Sequence, residues 1–230
     1  MNELIRLELK RNKLTPYYIA LTIIGIVMTG FLYMIATITK TENVVEFMDY
    51  KNILKLHTGI AFLVFSVFSV VMYSKFIIED YSRKKALLMF SYPISRSKVF
   101  IVKIVLVAGF ITFGFLLSTL IPNVLFFVTE SIFPILGGNI TMALASSQII
   151  NIVTFILTLS SIGFISLRIG FINKSVSTTI VTAIILSTIL GNVVMGLGVN
   201  IYVFAGSVVV FVIGLAFAYS TNKQINRMEV

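Results

Sequence analysis

The stretch 59-GIAFLVFSVFSVVMYSKFII-78 holds 20 residues and one charge, Lys75, close to its end. About 20 apolar residues in a helix cross a hydrocarbon core of roughly 30 Å. This stretch therefore reads as one complete membrane span. Moving outward, the same test selects five more segments, 18–38, 99–127, 149–169, 178–195 and 201–219. Composition agrees: 58% of the 230 residues are hydrophobic and 12% are charged, with mean hydropathy +1.03. A soluble domain carries roughly 45–50% apolar and about 25% charged residues. The predicted class is an all-α integral membrane protein, a single domain over 1–230 with six transmembrane helices.

Two spans carry irregularities. The third is long, and Pro122 is expected to kink or end it, because proline lacks a backbone N–H. The fifth is weakened at its outer end by Gly191, Asn192, Gly196 and Gly198. The N-terminal MNELIRLELKRNKLTP breaks its apolar residues with charges and shows no small-residue cleavage site, so the first span is expected to be retained.

Six spans place both termini on one side, and the basic residues say which. Fifteen of the 18 Lys and Arg fall on one side: four before the first span, seven over 75–103, two after the fourth span and two in the C-tail. The other side has Lys40, Lys51 and Lys55. The positive-inside rule puts the richer side, with both termini, in the cytoplasm. The net charge of +9 thus reads as topology, and nucleic acid is not expected as a partner.

The opposite side differs in kind. Residues 41–58 mix Glu42, Glu46, Asp49, Lys51, Lys55 and His57 with apolar residues, which suggests a short amphipathic helix on the outer surface. Residues 129–148 are apolar with Pro134, Gly137 and Gly138, and are read as a segment able to dip back into the membrane if shielded by protein. The last outer turn is short, about 196–200.

Several chemistries are excluded. There is no cysteine and one histidine, so thiol chemistry and multi-histidine metal sites are absent. No G-x-x-x-x-G-K-[ST], H-E-x-x-H or G-x-S-x-G occurs. The chain is not expected to be an enzyme. The spans show no ionisable group near mid-depth; Lys75 and Arg168 lie near cytoplasmic ends, where long side chains snorkel. Mid-span polar residues such as Ser118, Asn151 and Ser160 fit interhelical hydrogen bonding, or the polar lining of a substrate path.

The loop after the second span is unusual. It runs EDYSRKKALLMFSYPISRSKVFIVK from Glu79 to Lys103. Its basic residues alone fit a plain topological signal. Its apolar run 86–90, between RKK and Tyr92-Pro93, fits equally a short helix that docks in a partner's groove. Pro93 biases Tyr92 away from helix, and Ser95 is placed to cap the next one.

The same stretch resembles the signature loop of membrane subunits of ATP-binding-cassette exporters, the six-span permease family. Glu79, Leu87, Leu88, Tyr92, Pro93, Ile94, Ser95, Arg96 and Lys103 match that family's acidic residue, leucine pair, x-x-P-[IV]-S-R and basic entry to the third span. Arg83-Lys84-Lys85 stands where the family commonly has Gly-Thr. The N-terminal ELIRLELKRNKL is similar to the family's interfacial helix (1–16 here), although Glu8 falls near its apolar side. The C-terminal NRMEV also resembles the family's ending.

The resemblance implies a short cytoplasmic coupling helix within 79–98, seated in a cleft of a separate ATPase subunit. Glu79, Tyr81, Arg83, Lys84, Leu87, Leu88, Phe90, Tyr92, Pro93 and Arg96 would make that contact. It implies a second permease chain, identical or similar. No cofactor is expected in this chain; ATP and Mg would be held by the partner. Small permeases of this kind, similar to exporters of phenol-soluble modulins and lantibiotics, imply amphipathic or hydrophobic peptide cargo in a bacterial cell membrane. Sodium or drug export on the same architecture, and a non-transport sensor or assembly protein, remain the alternatives.

Overall fold

The computed structural model describes residues 5, 6, 8, 11, 14–42, 44, 47–81, 95–136, 141–198 and 200–226. Those residues build six long helices: α1 (Thr15–Glu42), α2 (Tyr50–Tyr73, continued by a π turn over Ser74–Ile78), α3 (Arg96–Ile132), α4 (Met142–Asn173), α5 (Val176–Leu197) and α6 (Ile201–Asn226). All six are long and apolar enough to cross a membrane, and the chain is a multi-pass membrane protein. In lipid every backbone polar group needs an internal partner, which a helix supplies along its own length.

The helix ends follow local chemistry. Asp49 caps α2, its carboxylate accepting from Lys51 N at 2.9 Å. Asn200 Oδ1 accepts from Val203 N at 2.9 Å and starts α6. α4 ends at Lys174, which takes the left-handed conformation with φ 48°. Ser175 then caps α5 through Thr178 N.

Several expectations change. Pro122 does not end the third span, because α3 runs through it to Ile132. The ends of the 129–148 segment belong to the flanking helices, 129–132 to α3 and 142–148 to α4, and its residues 137–140 lie outside the described residues. The fifth span keeps its outer end, and Asn192 turns its amide back to the Thr188 carbonyl at 2.7 Å. The amphipathic helix predicted outside the second span is instead the first two turns of α2 from Tyr50 onward. His57 is therefore an ionisable group inside a span, fully buried and beside the Met28 carbonyl and the Asn123 amide.

α2 and α4 are the inner helices, with 61% of their apolar windows buried against 22% for α1, α5 and α6. α1 and α3 pack on the α2 side, α6 on α4, and α5 between α2 and α4. The aromatic pairs Phe62–Phe155 and Phe65–Phe115, at 4.9 and 5.7 Å between centroids, join α2 to both neighbours. Gly214 makes the α4–α6 contact possible: a Cβ there would stand 2.8 Å from Ser161 Cα. Gly25 permits less, since a Cβ there would meet Ser118 Oγ at 3.7 Å.

Side-chain contacts define the two ends of the bundle. Ser97–Asn222 at 2.8 Å and the Arg168–Gln224 and Arg11–Asp80 pairs gather at the end that holds the N-terminal segment. Tyr33–Thr129, Tyr50–Glu130 and Gln148–Thr58, each at 2.7 Å, gather at the other. We call these the proximal and distal ends.

Candidate functional site

The base of the 79–98 loop is the most charged part of the described bundle. Asp80 follows the π turn at the end of α2, and Lys103 lies two turns into α3. Lys103 is 1% exposed. Its ammonium donates to the Phe76 carbonyl at 2.9 Å and to the Asp80 carboxylate, and lies 3.2 Å from Glu8 Oε2. Arg11 closes the set, pairing with Asp80 and lying 3.5 Å from Glu8 Oε1.

Two cations and two carboxylates thus join three parts of the chain: the N-terminal segment, the end of α2 and the start of α3. The set is charge-balanced, which a buried cluster requires. Lys103 also satisfies a carbonyl near the end of α2, where intrahelical donors run out. The π turn over Ser74–Ile78 lies against this cluster, closed by Glu79 N to Ser74 O at 3.0 Å. Single π turns of this kind often sit at functional places.

Glu8, which breaks the apolar face of the N-terminal segment, is explained by this cluster. Its carboxylate is turned inward to Lys103, with the side chain 10% exposed. The nearer acid of the 79–80 pair is also settled. Asp80 takes Lys103, whereas Glu79 turns outward to Lys75 at 3.1 Å.

The other predicted loop residues fall as follows. The Tyr81 ring packs edge-on to Phe100 of α3 and Phe171 of α4, at 6.3 and 5.9 Å. Arg96 opens α3. Ser95 holds the N-cap position but makes no side-chain capping bond; its carbonyl accepts from Lys98 N at 3.0 Å instead. Arg83, Lys84, Leu87, Leu88, Phe90, Tyr92 and Pro93 lie outside the described residues.

The three residues read as a substrate path lie on α3 (Ser118) and α4 (Asn151 and Ser160). Ser118 of α3 is buried towards Gly25 of α1, and Asn151 of α4 is buried. Ser160 donates to the Ile156 carbonyl of its own helix at 2.9 Å. A different groove, of about 400 Å³, opens between α4, α5 and α6 near the distal end. Leu190, Val194, Val203 and Val210 line it, with Thr158, Tyr202 and Ser207 as its hydroxyl-bearing residues and Asn200 as its amide. Sequence reasoning missed it because each lining residue is ordinary; only the crossing of three helices assembles them.

Lys103 carried a signal that could have been read further. A cation two turns into an otherwise uncharged span demands a buried acid, and Asp80 and Glu8 are the acids the fold supplies.

The chain is similar to the Uncharacterized protein YcbO of Bacillus subtilis (strain 168), with 26% identity over 227 residues covering 98% of this chain and 99% of that one. No protein-family model matches the chain, and no solved structure matches it. The likeness to the bacterial relative is spread along the whole bundle rather than confined to one segment.

Proposed function

We propose that this chain is the membrane subunit of an ATP-driven exporter in a bacterial cell membrane, with its proximal end in the cytoplasm. In this reading the 79–98 loop is the lever on which a separate ATPase subunit acts. The ATPase binds ATP and Mg; this chain provides the path. A second permease chain, identical or similar, completes the translocation unit.

The observation that carries the reading is how the loop is rooted. A lever moves helices only if its base is fixed to them. Here the base is held by Lys103, Asp80, Glu8 and Arg11 to α2, α3 and the N-terminal segment together. Tyr81 adds an aromatic contact to α4. A push on the loop would therefore reach both inner helices, α2 directly and α4 through Phe171. The π turn gives α2 one place where its hydrogen-bond register is already altered.

Cargo follows from the lining. The α4–α5–α6 groove is largely apolar, with three hydroxyl-bearing residues, one amide and no charged side chain. Such a surface suits amphipathic or hydrophobic peptides better than a small ion, which needs its hydration replaced by polar ligands.

Co-purification tests the reading. The chain, tagged at its C-terminus and extracted from its native membrane in mild detergent, is expected to bring down a P-loop ATPase in fixed ratio. A clean preparation with no such subunit, under conditions that keep the chain folded, would overturn it.

A further inference from the structure

At the distal end, a pocket of about 320 Å³ lies between the start of α2 and the end of α5. Phe47, Leu56 and Met195 form its apolar wall, and Asn52 and Lys55 its polar rim. The wall exists because Gly59 lets α5 approach: a Cβ there would stand 2.5 Å from Met195 Sδ. The Lys55 ammonium reaches across towards the α5–α6 turn, 3.7 Å from where a Gly198 Cβ would be.

The charges around this pocket are costly by every local rule. Lys51 and Lys55 are four residues apart on one helix, a like-charge spacing that destabilises it. Both lie in the first two turns, where the helix dipole is already positive. Among the described residues neither ammonium has an ion-pair or hydrogen-bond partner. Asp49, the nearest acid along the helix, is engaged by the Lys51 backbone N–H. Lys55 therefore brings its charge to the pocket with Lys51 one turn away on the same helix, and a bound anion would relieve their mutual repulsion.

Depth and lining choose the anion. Lys55 sits five residues into α2, roughly 8 Å along its axis. Lys55 precedes the apolar run that opens at Gly59 by four residues, about 6 Å at 1.5 Å per residue, which is within the roughly 5–8 Å depth of a headgroup layer. An apolar wall beside the Lys55 ammonium fits an ion that carries a hydrocarbon chain.

We propose that this pocket binds the phosphate headgroup of an anionic phospholipid from the distal leaflet, with Lys55 as the cation in its rim, Lys51 one turn away as a second positive charge, and Phe47, Leu56 and Met195 against the first acyl carbons. The site is independent of the ATPase reading and needs only that the helices span a membrane.

The test uses native mass spectrometry of the full-length chain in detergent with phosphatidylglycerol or phosphatidylcholine added. At about 1 kcal/mol per basic side chain near a lipid surface, two lysines predict a preference for phosphatidylglycerol of about thirtyfold. Lys51→Gln with Lys55→Gln is expected to abolish that preference, and Lys55→Arg to keep it. Lys40→Gln, which removes the remaining basic residue of the distal side, is expected to leave it unchanged. The proposal is overturned by equal retention of the two lipids by the wild type, or by an equal loss in Lys40→Gln. Displacement of the lipid by millimolar inorganic phosphate would assign the site to a free anion instead and also overturn it. The single variant Lys51→Gln, expected to show a partial loss, guards against misfolding of the double variant.

Discussion

Replacing Lys103 by methionine removes one charge at nearly constant length. Lys103 is 1% exposed, and its ammonium pairs with Asp80 and Glu8, whose side chains are 7% and 10% exposed. After the change those carboxylates lose the buried ammonium and keep Arg11, which is 47% exposed. Removing one partner of a buried ion pair costs about 3–5 kcal/mol, mostly because the other charge is left uncompensated. Methionine fills almost the same volume, so cavity formation adds little. At about 2–4 °C per kcal/mol for a chain of 150–250 residues, melting should fall by about 6–20 °C. The native sequence has no cysteine, so a single Ser69→Cys at a buried site gives a clean thiol-reactive reporter of opening. The triple variant Lys103→Met, Asp80→Asn, Glu8→Gln removes both carboxylate charges too and should recover most of the loss. A fall of less than about 2 °C for the single variant, equivalent to under ~1 kcal/mol, would refute the buried network. Failure of the triple variant to recover would show that the lysine stem rather than its charge holds the site.

Other outcomes are as definite. Gly214→Ala should lower stability by about 1–3 kcal/mol, because the new Cβ meets backbone of α4 and not a movable side chain. Gly206→Ala, where a Cβ has open space, is the control and should not lower it in the same melt. Lys174→Gly should raise stability by up to about 1 kcal/mol, since glycine takes φ 48° without the Cβ penalty. Under the proposed orientation, a cysteine at Thr41 should react with an impermeant thiol reagent on intact cells, and one at Asn222 only after permeabilisation; the reverse pattern would invert the topology. Leu87→Asp with Leu88→Asp should leave membrane insertion intact and remove the ATPase from the purified complex; unchanged stoichiometry would exclude a docking role for the leucine pair.

Legibility differed between the lipid-facing and the interior parts of the chain. Long apolar runs are a local property, so all six spans were readable, and 59–78 fell wholly inside Tyr50–Ile78. Their ends were not. Residues 50–58 look amphipathic in isolation, yet they continue α2, because α1 and α3 cover His57 and α4 covers Thr58 through Gln148. Pro122 was a fair stop signal in water, but within a long apolar helix the chain has no better backbone partner than continued helix.

The candidate site was legible in outline. Sequence marked Glu79 to Lys103 as exceptional and Lys103 as the basic entry to α3. It did not reveal that Asp80 rather than Glu79 faces Lys103. Neighbours in sequence point about 100° apart on a helix, and the π turn before them shifts that angle again. Nor could Glu8 be assigned, since its partner lies 95 positions away.

What the sequence determined by itself was the all-helical class and six runs long and apolar enough to cross a membrane, because each depends on composition along a continuous run. Only the tertiary structure decided which charges meet. Lys103, Asp80, Glu8 and Arg11 come from three separated segments, and only helix packing brings them within bonding distance. The same holds for Lys55: on the sequence it is one more basic residue, and the fold is what sets it, without an ion-pair partner among the described residues, in the rim of an apolar pocket.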